Sequence, residues 1–352
     1  MITYITVDST VTGVGKYAYD VYNLLKPESE IIQIIFNKKF MDKYYSTPVM
    51  GTKYTALNYF MSKTIYRDII KDVNSRDNII HITSQTMKPI FKAKNMVVTI
   101  HDVIAMQKNI ASNSIMEKIK NIYLRQYLHE YIKYENIITI SNYVKSMILE
   151  NFNINKNNIT VISPYVSNNF NHIMDKHMLR KKHGLPENKK LILSVSSNQP
   201  RKNLGMVKKV MEGLGTDYKL VRIGSQVGDS ITFHNVSQET VNEIYNACDI
   251  LYFPTLMEGF GYPVVEAFKT GLPVVSSDIE VIREVASDAA ILVNPNDLDQ
   301  NIKAVKNALD NKENLIKKGY SVSDRYSPEV IRNKLIRYYN GIMEDAVRDK
   351  TN

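Results

Sequence analysis

The chain has 352 residues, 44% of them hydrophobic, which is more than one ordinary core needs and enough to build two domains with separate interiors. A single cysteine, Cys248, excludes an internal disulfide and fits a reducing compartment. No stretch of about 18 apolar residues excludes a membrane-spanning helix, and no apolar leader precedes the first strand, so a soluble or peripheral protein is expected. The net charge of +9 is uneven: residues 1–165 hold 20 basic against 13 acidic side chains, which suggests an anionic partner for that half. A Lys-, Asn- and Ile-rich composition without such a partner is the open alternative.

Apolar runs of strand length alternate with helix-like stretches. The first half reads as strands at Ile2–Val7, Ile31–Phe36, Asn78–Ile82, Met96–Ile100, Ile137–Ile140 and Ile159–Ile162, with helices near 15–26, 55–74, 114–134 and 142–151. The second half reads as strands at Leu191–Val195, Lys219–Ile223, Ile231–Phe233, Ile250–Phe253, Pro273–Ser276 and Ala290–Val293, with helices near 203–213, 238–247, 263–270, 279–286, 298–309 and 312–322. This alternation predicts two parallel sheets covered on both faces, an α/β fold of two Rossmann-like domains. The polar, basic stretch 167–186 reads as a linker. The domains then span 1–166 and 187–327, followed by a last helix and tail over 328–352. Segment 114–134 spaces apolar or aromatic residues at 115, 119, 122, 123 and 127 among Lys118, Lys120, Arg125 and Lys133. Such a helix packs on its own sheet or rests on an anionic membrane.

Chemistry concentrates in a few loops. Pro254 ends the strand Ile250–Phe253, a polar loop runs to Glu258, Gly259-Phe260-Gly261 permits tight turns, and Tyr262-Pro263 opens a helix. A glycine-rich loop entering a helix directs N–H groups and the positive end of a dipole at one spot, which suits an anion such as a diphosphate. Glu258 lies beside that spot, and Glu266 is expected on the first helical turn. Upstream, Arg201 and Lys202 lie between a strand and another helix N-terminus, where charge and dipole together hold phosphate oxygens. Gly224 follows the next strand as a turn. His101, with Asp102 after it, stands at the carboxyl end of a buried strand, where open α/β sheets bind ligands. Cys248 reads as a small buried helix residue.

Gly13-Val-Gly15-x-x-Ala18 formally fits a dinucleotide fingerprint. However, Asp8–Thr12 separate it from the strand, and the second strand ends at Phe36-Asn37-Lys38 without an acid for a ribose. A dehydrogenase is therefore not expected.

Glu258-x7-Glu266 with its internal Gly-Phe-Gly-Tyr-Pro, followed by Gly271-Leu-Pro-Val-Val-Ser276, resembles the signature of the family-4 retaining glycosyltransferases (glycosyl transferases group 1), which have the two-domain fold B. The resemblance implies two domains facing a cleft and a C-terminal helix crossing back to the first. It implies a nucleoside-diphosphate sugar as donor and no metal or other cofactor. Glu258 would hold the sugar hydroxyls, Arg201 and Lys202 the diphosphate, Glu266 the ribose, and His101 the sugar from the other domain. Gly13 and Gly15 would sit in a loop facing donor and acceptor, with Lys16 as an anion contact. Gly259, Phe260, Gly261 and Tyr262 would line the donor site, and the backbone near Val236 would hold the nucleobase. Many members carry an arginine where this chain has Ser197, so Arg201 is expected to supply that charge. Ser163-Pro-Tyr-Val-Ser167 departs from the family's usual Pro-Asn-Gly-Val-Asp.

The motif set resembles a branch rich in mannosyl- and other hexosyltransferases of surface-glycan assembly. The expected function is a retaining hexosyltransferase, with mannose a candidate sugar, acting on a glycan or lipid-linked acceptor. It is expected in the cytoplasm, peripheral on the inner face of the plasma membrane through the N-terminal domain. A sugar-nucleotide epimerase or a phosphorylase on the same fold stays open. A basic nucleic-acid-binding protein is remote, because no recognised motif is present and the charge is moderate.

Overall fold

The computed structural model describes residues 1–6, 13–26, 29–35, 50–51, 71, 73–75, 78–87, 89, 91–93, 95–103 and 115–351. Most of the helix expected over 55–74, the loop Asp8–Thr12 and the strand end Phe36–Lys38 lie outside the described residues. The chain divides into two compact units, Met1–Pro164 with Ile331–Asn352, and Tyr165–Val330.

The first unit runs β1 (Ile2–Thr6), α1 (Gly13–Leu24), β2 (Ser29–Ile35), β3 (Met50–Gly51), β4 (Ile79–Ile82), β5 (Met96–Ile100), α2 (Ile115–Tyr131), β6 (Asn136–Thr139), α3 (Asn142–Asn151) and β7 (Ile159–Val161). Its described strands form one parallel sheet in the order β3-β2-β1-β4-β5-β6-β7. Every residue of β4 and β5 is buried, so both faces of the sheet centre are covered and the strands read as continuous apolar runs. Ser141 caps α3 by accepting from the Val144 amide at 3.2 Å. On α2, Tyr127, Leu128 and Tyr131 are buried, and the Tyr131 hydroxyl donates to the Met87 carbonyl at 2.9 Å. That face packs inward, while Ile122 is 63% exposed.

The second unit runs α4 (Lys176–Lys182), β8 (Lys190–Ser196), a 3-10 turn (Pro200–Lys202), α5 (Leu204–Leu214), β9 (Tyr218–Gly224), β10 (Ile231–Phe233), α6 (Gln238–Ala247), β11 (Ile250–Phe253), α7 (Tyr262–Thr270), β12 (Val274–Ser277), α8 (Glu280–Ala286), β13 (Ala290–Val293), α9 (Leu298–Asp310) and α10 (Lys312–Ser323). Its parallel sheet has the order β10-β9-β8-β11-β12-β13. One core joins Ile192, Leu220, Ile250 and Val275 of the sheet to Val207 and Val210 of α5 and Val305 of α9. The chain winds outward from β8 to β10, then returns to place β11 on the other side of β8. Loops leaving β8 and β11 therefore diverge and open a crevice at the carboxyl ends of these strands.

Residues 167–186, expected as a linker, are part of the second unit. Within them α4 carries Arg180, which is buried and donates to the Ala247 carbonyl at 2.9 Å and to Asp249 Oδ2 at 2.7 Å. Asp249 also accepts from the Leu191 amide at 2.7 Å and from Lys176 at 3.0 Å. A polar composition hid this role because the helix is fastened by charge rather than by an apolar stripe.

The last helix, α11 (Pro328–Thr351), begins in the second unit and continues as part of the first from Ile331. Ile331, Leu335, Tyr339 and Ile342 are buried at helical spacing. The Tyr339 hydroxyl lies 2.7 Å from His81 Nδ1 on β4 and 3.2 Å from the Tyr4 hydroxyl on β1.

Breaking a largely buried ion pair leaves a stranded charge. Arg180→Ala is expected to lower stability by about 3 kcal/mol in urea unfolding. Arg283→Ala, which breaks an exposed pair with Asp278, is expected to leave the urea midpoint almost unchanged.

Candidate active site

The site is built first from two loops of the second unit. After β8, the turn Pro200–Lys202 leads through Asn203, in the left-handed region at φ 55°, into α5. After β11, residues 254–261 lead into α7. The two loops are tied by their backbones: the Leu256 amide donates to the Arg201 carbonyl at 2.7 Å.

Glu258 lies at the centre and is buried. Its Oε2 accepts from Arg201 Nη1 at 3.0 Å, and its Oε1 accepts from Lys202 Nζ and from the Thr255 hydroxyl at 2.9 Å. Arg201 is held further by the Met257 carbonyl at 2.9 Å and by Gln199 Oε1 at 2.8 Å. Lys202 Nζ stands 5.3 Å from the centre of the Phe253 ring. Burial pulls the Lys202 ammonium below the usual lysine range, and the Glu258 carboxylate opposes that shift. The three residues singled out separately in the sequence therefore form one ion cluster.

Glu266 lies one turn deeper than expected. The helix starts at Tyr262, so Glu266 is its fifth residue, and no acid occupies the first turn. It is buried, and its Oε2 accepts from the Tyr245 hydroxyl at 2.8 Å. Burial raises the Tyr245 phenol well above its ordinary value, which keeps it a donor. Gly261 caps α7 at φ 111°, and a Cβ there would stand 2.9 Å from Ile282 Cδ1. Phe260 turns its ring inward, 5.2 Å from that of Tyr326 and 5.4 Å from that of Tyr262, so its side chain belongs to the core. Gly259 precedes it in the loop, and Tyr262 two residues on is the first residue of α7. Gly224 ends β9 beside Ser196, and Val236 is half-buried in the loop after the edge strand β10.

In the first unit, His101 follows β5 and is buried. Its Nε2 lies 2.8 Å from the Thr83 carbonyl, which can only accept, so Nε2 carries the proton and Nδ1 is the acceptor. Gln85 fixes the backbone on either side, accepting from the His101 amide at 3.0 Å and donating to the Asp102 carbonyl at 2.9 Å. The Tyr17 ring of α1 meets the imidazole edge-to-face at 4.8 Å. Gly13 and Gly15, expected in a loop, form the first turn of α1 instead, on the element that touches His101. Lys16, expected as an anion contact, pairs with Asp20 at 2.8 Å. Cys248 is buried at the end of α6, where burial pushes its thiol up and leaves it inert.

Sequence reading missed Thr255, Tyr245, Gln85 and Tyr17. Thr255 stood inside the motif, three residues before Glu258. Tyr17 stood inside the Gly13–Ala18 pattern, whereas Tyr245 and Gln85 come from distant elements that no local pattern marked.

Residues 175–322 match the model of the family described as glycosyl transferases group 1. The O-antigen chain mannosyltransferase RfbU of Salmonella typhimurium is 27% identical over 231 residues, which cover 61% of this chain and 61% of that relative. The match thus spans less than two thirds of the curated relative. Sucrose-phosphate synthase from Thermosynechococcus elongatus superposes with a TM-score of 0.79 at 15% identity, covering 98% of this chain and 99% of that one. Anabaena HepE in complex with UDP-glucose superposes with a TM-score of 0.74 at 12% identity, covering 97% and 99%. The fold is the two-domain α/β fold B. The match to the glycosyl transferases group 1 lies within the second unit.

Burial pulls the His101 imidazole down to about 4, against a bond to the Thr83 carbonyl that acts to raise it. Burial, then the charge of His101, pulls His81 down to about 3. Both folded values lie below the unfolded value of about 6.5, so the unfolded chain takes up protons first. This contribution to stability is complete above about pH 6.5 and is lost as pH falls towards 4. At pH 5 each histidine is expected to cost about 2 kcal/mol relative to pH 7.5. Chemical unfolding at the two pH values checks this, and His81→Gln or His101→Gln should shrink the difference.

Proposed function

We propose that the chain is a retaining hexosyltransferase, with mannose as the leading candidate sugar. It moves the sugar from a nucleoside diphosphate to a hydroxyl of a glycan or lipid-linked acceptor. The observation that carries this reading is the cluster of Arg201, Lys202 and Glu258 at the crevice between β8 and β11. The name of the Salmonella relative supports the sugar, and the UDP-glucose complex of the Anabaena neighbour supports the donor class.

The leaving diphosphate gains negative charge as the glycosidic bond breaks. Arg201 and Lys202 stabilise that charge from fixed positions, aided by the N-terminus of α7. Glu258 holds both cations in place and offers its carboxylate to the sugar hydroxyls. Supplying positive charge this way requires no metal ion. Glu266, oriented by Tyr245, takes the ribose diol. His101 is neutral at physiological pH and serves as a hydrogen-bond partner to the sugar rather than as a base. The chemical course is a front-face displacement, in which the acceptor oxygen bonds to the anomeric carbon on the side from which the diphosphate leaves.

Among the described residues no helix is long and apolar enough to cross a membrane. The reading places the protein in the cytoplasm, touching an anionic membrane surface through the exposed Ile122 side of α2, beside Arg125.

A thermal-shift panel of UDP, GDP and their sugars identifies the donor, since a ligand at a hundred times its dissociation constant adds about 2.7 kcal/mol of stability. With that donor, Glu258→Ala and Lys202→Ala are each expected to slow transfer by about a hundredfold or more. Near-normal transfer by both would overturn the reading. Glu266→Ala should weaken nucleoside diphosphate binding. Donor incubated without acceptor should return no isomerised sugar, which separates the transferase from an epimerase.

A further inference from the structure

Arg222 lies inside β9, in the apolar run Leu220-Val-Arg-Ile223, and is completely buried. Removing a guanidinium from water is costly, and a buried arginine is ordinarily answered by a carboxylate. Here every partner among the described residues is a neutral oxygen. Nε donates to the Ser225 carbonyl at 3.1 Å, Nη1 to the Ser194 hydroxyl at 2.9 Å and the Ser194 carbonyl at 3.2 Å, and Nη2 to the Ser196 carbonyl at 3.0 Å. Nη1 also lies 3.2 Å from the Ser196 hydroxyl. Burial pulls the group down to about 10, which leaves it charged at neutral pH. The second unit thus encloses a whole positive charge near the carboxyl ends of β8 and β9.

The local backbone is shaped around this charge. Gly224 has φ 132°, and a Cβ there would stand 2.1 Å from the Ser196 carbonyl oxygen and 3.1 Å from Arg222 Nη2. Only glycine lets the strands close up there while the guanidinium reaches across to Ser196. The Ser196 carbonyl and the Ser197 N–H belong to one peptide group. A charged donor on that carbonyl polarises the peptide and makes its N–H a stronger donor. The same peptide opens the loop that carries Arg201 and Lys202.

The charge total matters as well. Arg201 and Lys202 are balanced by Glu258 and Glu266, so these four side chains sum to zero. Such a set has no net bias towards a polyanion. Arg222 adds one positive charge to that set.

We infer that Arg222 is a positioning residue for the donor diphosphate. Its buried charge draws polyanions to the crevice at the ends of β8 and β9, and its fork fixes the Ser196–Ser197 peptide at the start of the cationic loop. The inference rests on the nucleotide-sugar reading above.

The test compares dissociation constants of GDP and UDP with those of guanosine and uridine at one ionic strength. Arg222→Gln should weaken diphosphate binding by about tenfold and leave nucleoside binding within about twofold, because only the diphosphate carries charge for the buried guanidinium to attract. Arg222→Lys should restore most of the loss. Equal weakening of nucleoside and diphosphate marks a purely structural residue and overturns the inference, as does no weakening at all. If Arg222→Gln does not fold, Arg222→Met decides by the same comparison, because an apolar side chain of similar length suits the buried strand. A loss confined to the diphosphates is expected, and no loss, or an equal loss for the nucleosides, overturns the inference. Wild-type protein that binds neither diphosphate sinks the proposed function and this inference together. Wild-type binding with an unaffected Arg222→Gln sinks this inference alone.

Discussion

The second unit's site depends on one constraint: Glu258 is a carboxylate out of water, and it needs its cations. An isolated buried charge costs several kcal/mol, so Glu258 is stable there only with Arg201 and Lys202 against it and the Thr255 hydroxyl on a remaining lone pair. The dependence is mutual, because Lys202 is itself largely buried over the Phe253 ring. The consequence is rigidity. Arg201 and Lys202 are held in fixed positions, with little freedom left to reorganise.

Sheet topology makes this cluster reachable. Arg201 and Glu258 are far apart in the chain, yet β8 and β11 are neighbours, so their following loops leave side by side. Parallel strands all deliver their carboxyl ends to one edge, which places the Gly224 turn and the loop holding Val236 on that edge too. Arg222 fits the same geometry from below, reaching from β9 to the end of β8. The first unit repeats the plan with different chemistry. There, His101 leaves β5 as a neutral imidazole whose tautomer is set by the Thr83 carbonyl and whose face is set by Tyr17.

The buried polar network beneath His101 gives α11 a structural role in the first unit. Tyr339 bonds to His81, His81 lies 2.7 Å from the Thr99 hydroxyl, and that hydroxyl lies 3.2 Å from Tyr17. Such a chain of satisfied polar groups defines one packing more sharply than an apolar contact does, since any slip leaves a buried donor or acceptor unpaired.

The sequence by itself determined the alternation of strands and helices, the start of the glycine-containing loop at Pro254, and the identity of Arg201, Lys202, Glu258, Glu266 and His101 as candidates. These were legible because apolar period, proline and glycine act over a few residues. It misread 167–186, where Arg180 and Asp249 do the fastening, and it placed Glu266 on the first turn because the cap at Gly261 cannot be located from residue types alone. Only the tertiary structure decided that Glu258 binds both cations, that Phe260 is core, that Tyr245 orients Glu266, and that Arg222 meets neutral oxygens among the described residues. Each of those facts depends on which side chain meets which across strands and helices, and a linear pattern carries no information about partners brought together by folding.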